Sequence, residues 1–240
     1  MKLSVGYVNS IQSLGAVDGP GIRFVAFLQG CPLRCSCCHN PETWQFNVGE
    51  TFSAQQLFDK AVRFKEYFGE KGGVTLSGGE PICQSEFVYD FFSLCKASNI
   101  NTCLDTSGCI LNDSVKKALS VTDRVLLDVK YPSPSLYNKH VGCNLSNVLE
   151  FLTYLNAVKL PTTIRQVVVK GINDNDDNLA FLSRLRGEFD CVDGIELLPF
   201  RKICSSKYDN LKIKFPFANY PETDEQTIQN LYCKLKKHSK

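Results

Sequence analysis

The sequence predicts an α/β fold built on a parallel sheet, and three observations lead there. Apolar, β-rich runs alternate with amphipathic stretches six times along the chain. Alternating β and α units of this kind demand parallel strands joined by right-handed crossovers. The 240 residues are 43% hydrophobic and 22% charged, ordinary for a globular chain able to bury a sizeable core. Six units are fewer than the eight of a closed barrel. An open, partial barrel and a doubly wound sheet both satisfy the pattern.

The elements follow in order. Residues 22–28 read as the first strand. Ser53 is placed to cap a helix running to Phe68, because Leu57, Ala61, Phe64 and Phe68 recur at helical spacing. A second strand begins at 73–76, with a helix over 85–97. The third strand is 102–105, followed by a helix near 112–119. The fourth is 124–129, with a helix near 146–156. The fifth is 163–169, with a helix over about 176–189. The sixth lies within 194–199, and a final helix spans 222–237. Residues 201–219 form the longest irregular stretch. No internal repeat or linker interrupts the pattern, so 1–240 is expected to be a single domain.

Charge and hydropathy exclude several classes. A net charge of +2 gives no global pull toward nucleic acid or an anionic membrane. No apolar run approaches the length needed to cross a bilayer. The first eight residues lack the charged-then-apolar pattern of a signal peptide, so the cytoplasm is expected. Lys234, Lys236, Lys237 and Lys240 at the end of the last helix read as a solvated terminus that suits the helix dipole.

Twelve cysteines require explanation, and four of them crowd into residues 31–38. A disulfide scaffold would usually be a shorter secreted chain with its cysteines spread out. Cys31, Cys35 and Cys38 have the spacing C-x3-C-x2-C, directly after a predicted strand, where parallel α/β folds carry their functional loops. Iron–sulfur clusters take thiolate ligands, usually four, and zinc normally takes two separated pairs. Three thiolates without a distant pair leave one metal position open for chemistry. A zinc site with Cys37 or His39 as fourth ligand satisfies the spacing too.

Further strings stand at or near predicted strand ends. They are Asp18-Gly-Pro-Gly21-Ile-Arg-Phe24, Gln29-Gly-Cys31, Cys38-His-Asn40, Ser77-Gly-Gly-Glu80-Pro81 and Cys103-Leu-Asp-Thr106. Leu127-Asp-Val-Lys130, Ile164-Arg165 with Val167-Val-Val169, and Ile195-Glu-Leu-Leu-Pro199 complete the set. Together, in this order and almost end to end, they resemble the radical S-adenosylmethionine superfamily, and most closely its pyruvate formate-lyase activating enzymes.

The resemblance implies a partial, open (β/α)6 TIM-like barrel with outer helices. It implies a 4Fe-4S cluster on Cys31, Cys35 and Cys38, with S-adenosylmethionine bound at the open iron. Glu80 would receive the methionyl amino group, with Gly78 and Gly79 giving close backbone approach. Asp105, Thr106 and Asp128 would lie beside the methionyl group and help hold a monovalent cation. Lys130 would reach the cofactor carboxylate, and Arg165 the cofactor or the substrate loop. A lone Arg in an apolar strand needs a partner in any case. Asp18 would face the glycine-bearing loop of the protein substrate. Asp18, Arg165 and Lys130 are thus the candidate catalytic residues. Cys37, His39 and Arg201 join the candidate cofactor-binding residues.

The implied partner is a glycyl-radical enzyme, pyruvate formate-lyase, with flavodoxin or ferredoxin as electron donor and the activase itself a monomer. Residues 41–72 contain no cysteine, so the ferredoxin-like insert of other glycyl-radical activases is absent. Three positions depart from the family pattern. Cys37 stands where an aromatic residue usually covers the adenine. Arg201 stands where His is common. Of a Gly-Lys-x-Lys-aromatic stretch only Lys207 and Tyr208 remain. An activase of another glycyl-radical enzyme is the nearest alternative. A non-catalytic metal-binding module is the alternative of a different class.

Overall fold

The computed structural model describes residues 3–238, without the side chains of the last two. Of the four terminal lysines, Lys240 and the side chain of Lys237 lie outside the described residues. The six predicted strands are present. They are β2 (Arg23–Leu28), β4 (Gly73–Gly78), β5 (Asn101–Thr106), β6 (Arg124–Asp128), β7 (Thr162–Val168) and β8 (Val192–Pro199). β2 with β4, β4 with β5, and β7 with β8 pair in parallel.

Two strands were not anticipated, and they correct the expectation of a purely parallel sheet. β1 (Val5–Gly15) pairs antiparallel with β2, and β3 (Glu50–Ser53) pairs antiparallel with β1. The sheet order is β3-β1-β2-β4-β5-β6-β7-β8, so β3 and β8 are its edges and it does not close on itself. β1 escapes an apolar-run reading because most of its residues are only half-buried or exposed.

The helices follow the crossovers. α1 (Ala54–Ala61) starts at Ser53, which forms a capping box with Gln56. The expected continuation to Phe68 tightens into a 3-10 segment, Val62–Tyr67. α2 (Ser85–Ala97), α3 (Asp113–Leu119), α5 (Leu145–Ala157) and α6 (Asp176–Glu188) lie where the periodicity put them. α8 (Glu225–His238) begins three residues later than expected. α4 (Pro134–His140), capped by Ser133, and α7 (Ser205–Asn210), within the stretch expected to be irregular, are additions. Among the described residues no helix is long and apolar enough to cross a membrane.

The chain gathers into two compact units. The first holds residues 1–32 and 43–126, the second 33–42 and 127–240. In the first, Val25, Leu28, Val74, Leu76 and Leu104 from the strands are buried, as are Phe87, Phe91 and Phe92 of α2. In the second, Ile164 and Val168 of β7 are buried, as are Val148, Phe151 and Leu155 of α5 and Leu179 and Leu182 of α6. Burial of this kind is the main favourable term in folding.

Candidate functional site

In the first unit the functional strings sit at strand ends. Gly78 adopts φ +106°, and a Cβ there would lie 2.5 Å from the Leu28 amide nitrogen. A Cβ on Gly79 would lie 2.5 Å from the Gly30 carbonyl oxygen. The close approach that these glycines were expected to offer a ligand is made here to the chain leaving β2. Two hydrogen bonds fasten it, Gly79 N–H to Leu28 O at 2.8 Å and Glu80 N–H to Gly30 O at 2.9 Å. Cys31 follows at once, its amide donating to Trp44 O at 3.3 Å.

Glu80 is 1% exposed. Its Oε1 accepts from Thr106 Oγ1 at 2.5 Å and from the Ile82 amide at 3.4 Å. Its Oε2 accepts from the Ser107 amide at 2.9 Å and from the Ser107 hydroxyl. The carboxyl therefore ties the end of β4 to the end of β5. Burial pushes its pKa up, and the Ser107 and Thr106 donors only partly offset this. Asp105 accepts from Ser77 Oγ at 2.7 Å. Asp18 is 9% exposed, and its carbonyl accepts from Thr75 Oγ1 at 2.7 Å.

In the second unit the loop carrying Cys35, Cys37 and Cys38 is pinned by backbone. The Arg34 amide donates to Val141 O at 3.1 Å, Ser36 to His140 O at 2.8 Å, and Cys38 to Cys35 O at 3.0 Å. Tyr208 Oη donates to the Cys38 carbonyl at 3.2 Å. Lys207 Nζ donates to Asn40 Oδ1 at 2.8 Å and pairs with Glu42 at 2.5 Å. His39 Nε2 donates to the Arg201 carbonyl at 3.0 Å, while the Arg201 guanidinium pairs with Glu225 at 2.5 Å. The buried Cys37 presents no aromatic face.

Lys130 Nζ lies 2.6 Å from Asp128 Oδ2. Burial opposes its charge, yet Asp128 and the Cys35 and Cys37 sulfurs outweigh that and hold its pKa well above the ordinary value. Burial pushes the Cys35 thiol up to about 12 and Cys37 up to about 11, against the pull of Lys130. The partner that Arg165 requires is Glu196, at 2.9 Å, facing it across the β7–β8 ladder.

Several neighbours were not singled out in the sequence. Ser107 and Ser77 hold Glu80 and Asp105, and the only available signal is a hydroxyl beside a strand-end carboxylate. Tyr131 is fully buried, and among the described residues its hydroxyl has no nitrogen or oxygen partner. Burial first, and then the neighbouring Cys37 sulfur, raise its pKa. Among the described residues no three His, Cys, Asp or Glu side chains are closed around a metal-sized point.

A family model described as the Radical SAM superfamily matches residues 25–182. The chain belongs to that superfamily. Among the curated relatives of this radical SAM chain, the pyruvate formate-lyase-activating enzyme of Listeria monocytogenes serovar 1/2a is 36% identical over 93% of each chain. The enzyme of that name from Clostridium pasteurianum is 37% identical over 97% of this chain and 98% of its own. The pyruvate formate-lyase 1-activating enzyme of Escherichia coli K12 is 40% identical over 95% and 94%. A solved domain of a pyruvate-formate lyase-activating enzyme from Bacteroides vulgatus shares the fold. Its TM-score is 0.58 at 20% identity, over 70% of this chain and 94% of its own. Streptococcus suis SuiB bound to its precursor peptide shares it at TM-score 0.68 and 16% identity, over 87% and 43%.

The donor set fits the cluster that a radical SAM chain implies. Cys31, Cys35 and Cys38 are not engaged in disulfides. Around Cys35 and Cys37 stand an ammonium held charged and the buried Tyr131 phenol beside the Cys37 sulfur. Anionic sulfur would meet both, the first as a counter-charge and the second as a hydrogen-bond acceptor.

Proposed function

We propose that this chain activates pyruvate formate-lyase by generating a radical on a backbone glycine of that enzyme. One observation carries the reading. Relatives named for this activity are 36%, 37% and 40% identical across 93%, 97% and 95% of this chain. On this reading Cys31, Cys35 and Cys38 hold a 4Fe-4S cluster. With S-adenosylmethionine bound, such a cluster would supply the electron for reductive cleavage of that cofactor, the chemistry needed to take a hydrogen atom from glycine.

The residues of the chain bind and orient. Lys130 carries the charge that a cofactor carboxylate needs, and its tie to Asp128 aims it. Glu80, already braced by Thr106 and Ser107, offers its remaining lone pairs to an ammonium. Asp105, Thr106 and Asp128 are the acceptors that would favour a monovalent cation. Asp18 faces the incoming glycine loop. Arg165 and Arg201 orient cofactor or partner through guanidinium groups already fixed by Glu196 and Glu225. His39 and the buried Cys37 shape the cysteine loop beneath the cofactor. The whole chain serves as one functional domain. We assign flavodoxin or ferredoxin as electron donor, a monomeric state and a cytoplasmic location.

The test starts from protein reconstituted without oxygen. About four irons per chain, 5′-deoxyadenosine on reduction, and a glycyl radical signal on added pyruvate formate-lyase are expected. Cofactor cleavage without the signal would assign the chain to another glycyl-radical partner. A colourless zinc protein would sink the radical reading. Asp105→Ala is expected to weaken S-adenosylmethionine binding while iron content stays unchanged; unaltered affinity would remove Asp105 from the site.

A further inference from the structure

The segment carrying Asp18 bridges the antiparallel pair β1–β2, and it is wrapped around one side chain. Arg23 is completely buried, and among the described residues no carboxylate lies within ion-pair distance of its guanidinium. Its hydrogen bonds all go to neutral oxygens, while Asp123 acts on it from farther away. Nε donates to Thr75 Oγ1 at 2.6 Å. Nη1 donates to the carbonyls of Pro20 at 3.0 Å and Lys71 at 3.3 Å. Nη2 donates to Val74 O at 2.6 Å and to Asn101 Oδ1 at 2.9 Å. Thr75 passes the connection on, since its hydroxyl donates to the Asp18 carbonyl at 2.7 Å.

The glycines of the segment record the same wrapping. Gly19 and Gly21 have φ +119° and +72°, where a side chain would be strained. A Cβ on Gly19 would lie 3.0 Å from Arg23 Cδ, and one on Gly21 would lie 2.5 Å from the Gly72 amide nitrogen. The loop is thus pressed onto the guanidinium below while Val17, 68% exposed, points outward beside Asp18. A loop held only by its own turns would not need a buried charge beneath it. An arginine buried without a carboxylate partner is costly unless its donors are used; here they join the loop at Pro20 to the turn at Lys71, to Val74 and Thr75 of β4 and to Asn101 of β5.

We infer that Arg23 and Thr75 are positioning residues that set the Asp18 loop for the protein substrate, with no contact to cofactor or glycine. The inference rests on the reading of Asp18 given above. Thr75→Val removes two hydrogen bonds, one accepted from the buried guanidinium and one donated to the Asp18 carbonyl, and loss of the first alone is worth roughly tenfold in an equilibrium constant. Thr75→Val keeps the shape and removes the hydroxyl; Thr75→Ser keeps the hydroxyl.

The test compares reconstituted wild type, Thr75→Val and Thr75→Ser. Thr75→Val is expected to raise the KM for pyruvate formate-lyase about tenfold, with kcat, S-adenosylmethionine affinity and uncoupled 5′-deoxyadenosine formation within about twofold. Thr75→Ser is expected to restore the KM. An unchanged KM in Thr75→Val overturns the inference, as does an equal loss in cofactor affinity, which would mark a general structural role. A wild type that leaves pyruvate formate-lyase unradicalised fails the functional reading instead. The tether is then judged by amide hydrogen exchange over residues 17–22. Faster exchange in Thr75→Val but not in Thr75→Ser supports it, and equal exchange overturns it.

Discussion

At the end of β4 a buried carboxylate is held by neutral donors, whereas at the end of β6 a buried ammonium is held by charge. Glu80 has hydroxyl and amide donors on its two oxygens but, among the described residues, no cation paired with it, and its pKa rises. Lys130 has Asp128 at 2.6 Å and two nearby sulfurs, and it stays charged. Neutral donors fix geometry without cancelling charge, so the first arrangement is a brace whose carboxyl still suits an ammonium. Ion pairing next to protonated thiols leaves the second poised for further negative charge.

Cys35→Ala gives the largest break, because it strikes the poised region. Iron after anaerobic reconstitution should fall from about four per chain to a residual trace while the chain stays folded. A variant retaining iron and cleaving S-adenosylmethionine would sink the ligand assignment. Glu80→Ala strikes the brace. It leaves the Thr106 and Ser107 hydroxyls and the Ile82 and Ser107 amides without their acceptor, at a cost of about 3 kcal/mol in urea unfolding; a loss below about 1 kcal/mol would show that Glu80 is not a brace.

A subtler contrast is visible in pH dependence. Burial holds the Glu80 carboxyl above the ordinary value of 4.5. The folded chain then binds more protons than the unfolded chain from about that value upward. This part of the stability is fully present below the ordinary value and is lost as pH rises through the raised one. Glu80→Gln, which does not titrate, should flatten that segment of the profile; an unchanged slope would mean that the hydroxyl donors cancel the burial. The smallest effect belongs to Glu196→Gln. Glu196 is well exposed to solvent, so stability should change by less than about 1 kcal/mol, and a larger loss would mark the Arg165 pair as a true support.

The inner parallel strands were legible because they carry apolar runs buried on both faces, as in Val74–Leu76 and Val125–Leu127. β1 was not, because an antiparallel strand near a sheet edge needs few buried residues. α4 was missed although Ser133-Pro134 is a start signal, since seven residues show too little periodicity. Of the candidate site, the residues could be named from their strings and their partners could not. That Glu80 meets Ser107, or Lys130 the Cys35 loop, depends on contacts between segments 27 and about 95 residues apart. The glycines were legible as points of close approach, but which backbone they approach was not.

One feature of the second unit bears on how the protein is made. Lys207 and Tyr208 fasten the cysteine loop to a helix 165 residues downstream of Glu42. At the usual pace of synthesis, about 5–20 residues per second, that clamp arrives roughly 8–30 s after the thiols emerge. During that interval Cys35 and Cys38 have neither Tyr208 nor Lys207 to hold their loop, and an oxidant could reach them. On the proposed function, metal delivery belongs after chain release, and a messenger truncated before codon 207 would yield a loop that is translated yet never clasped.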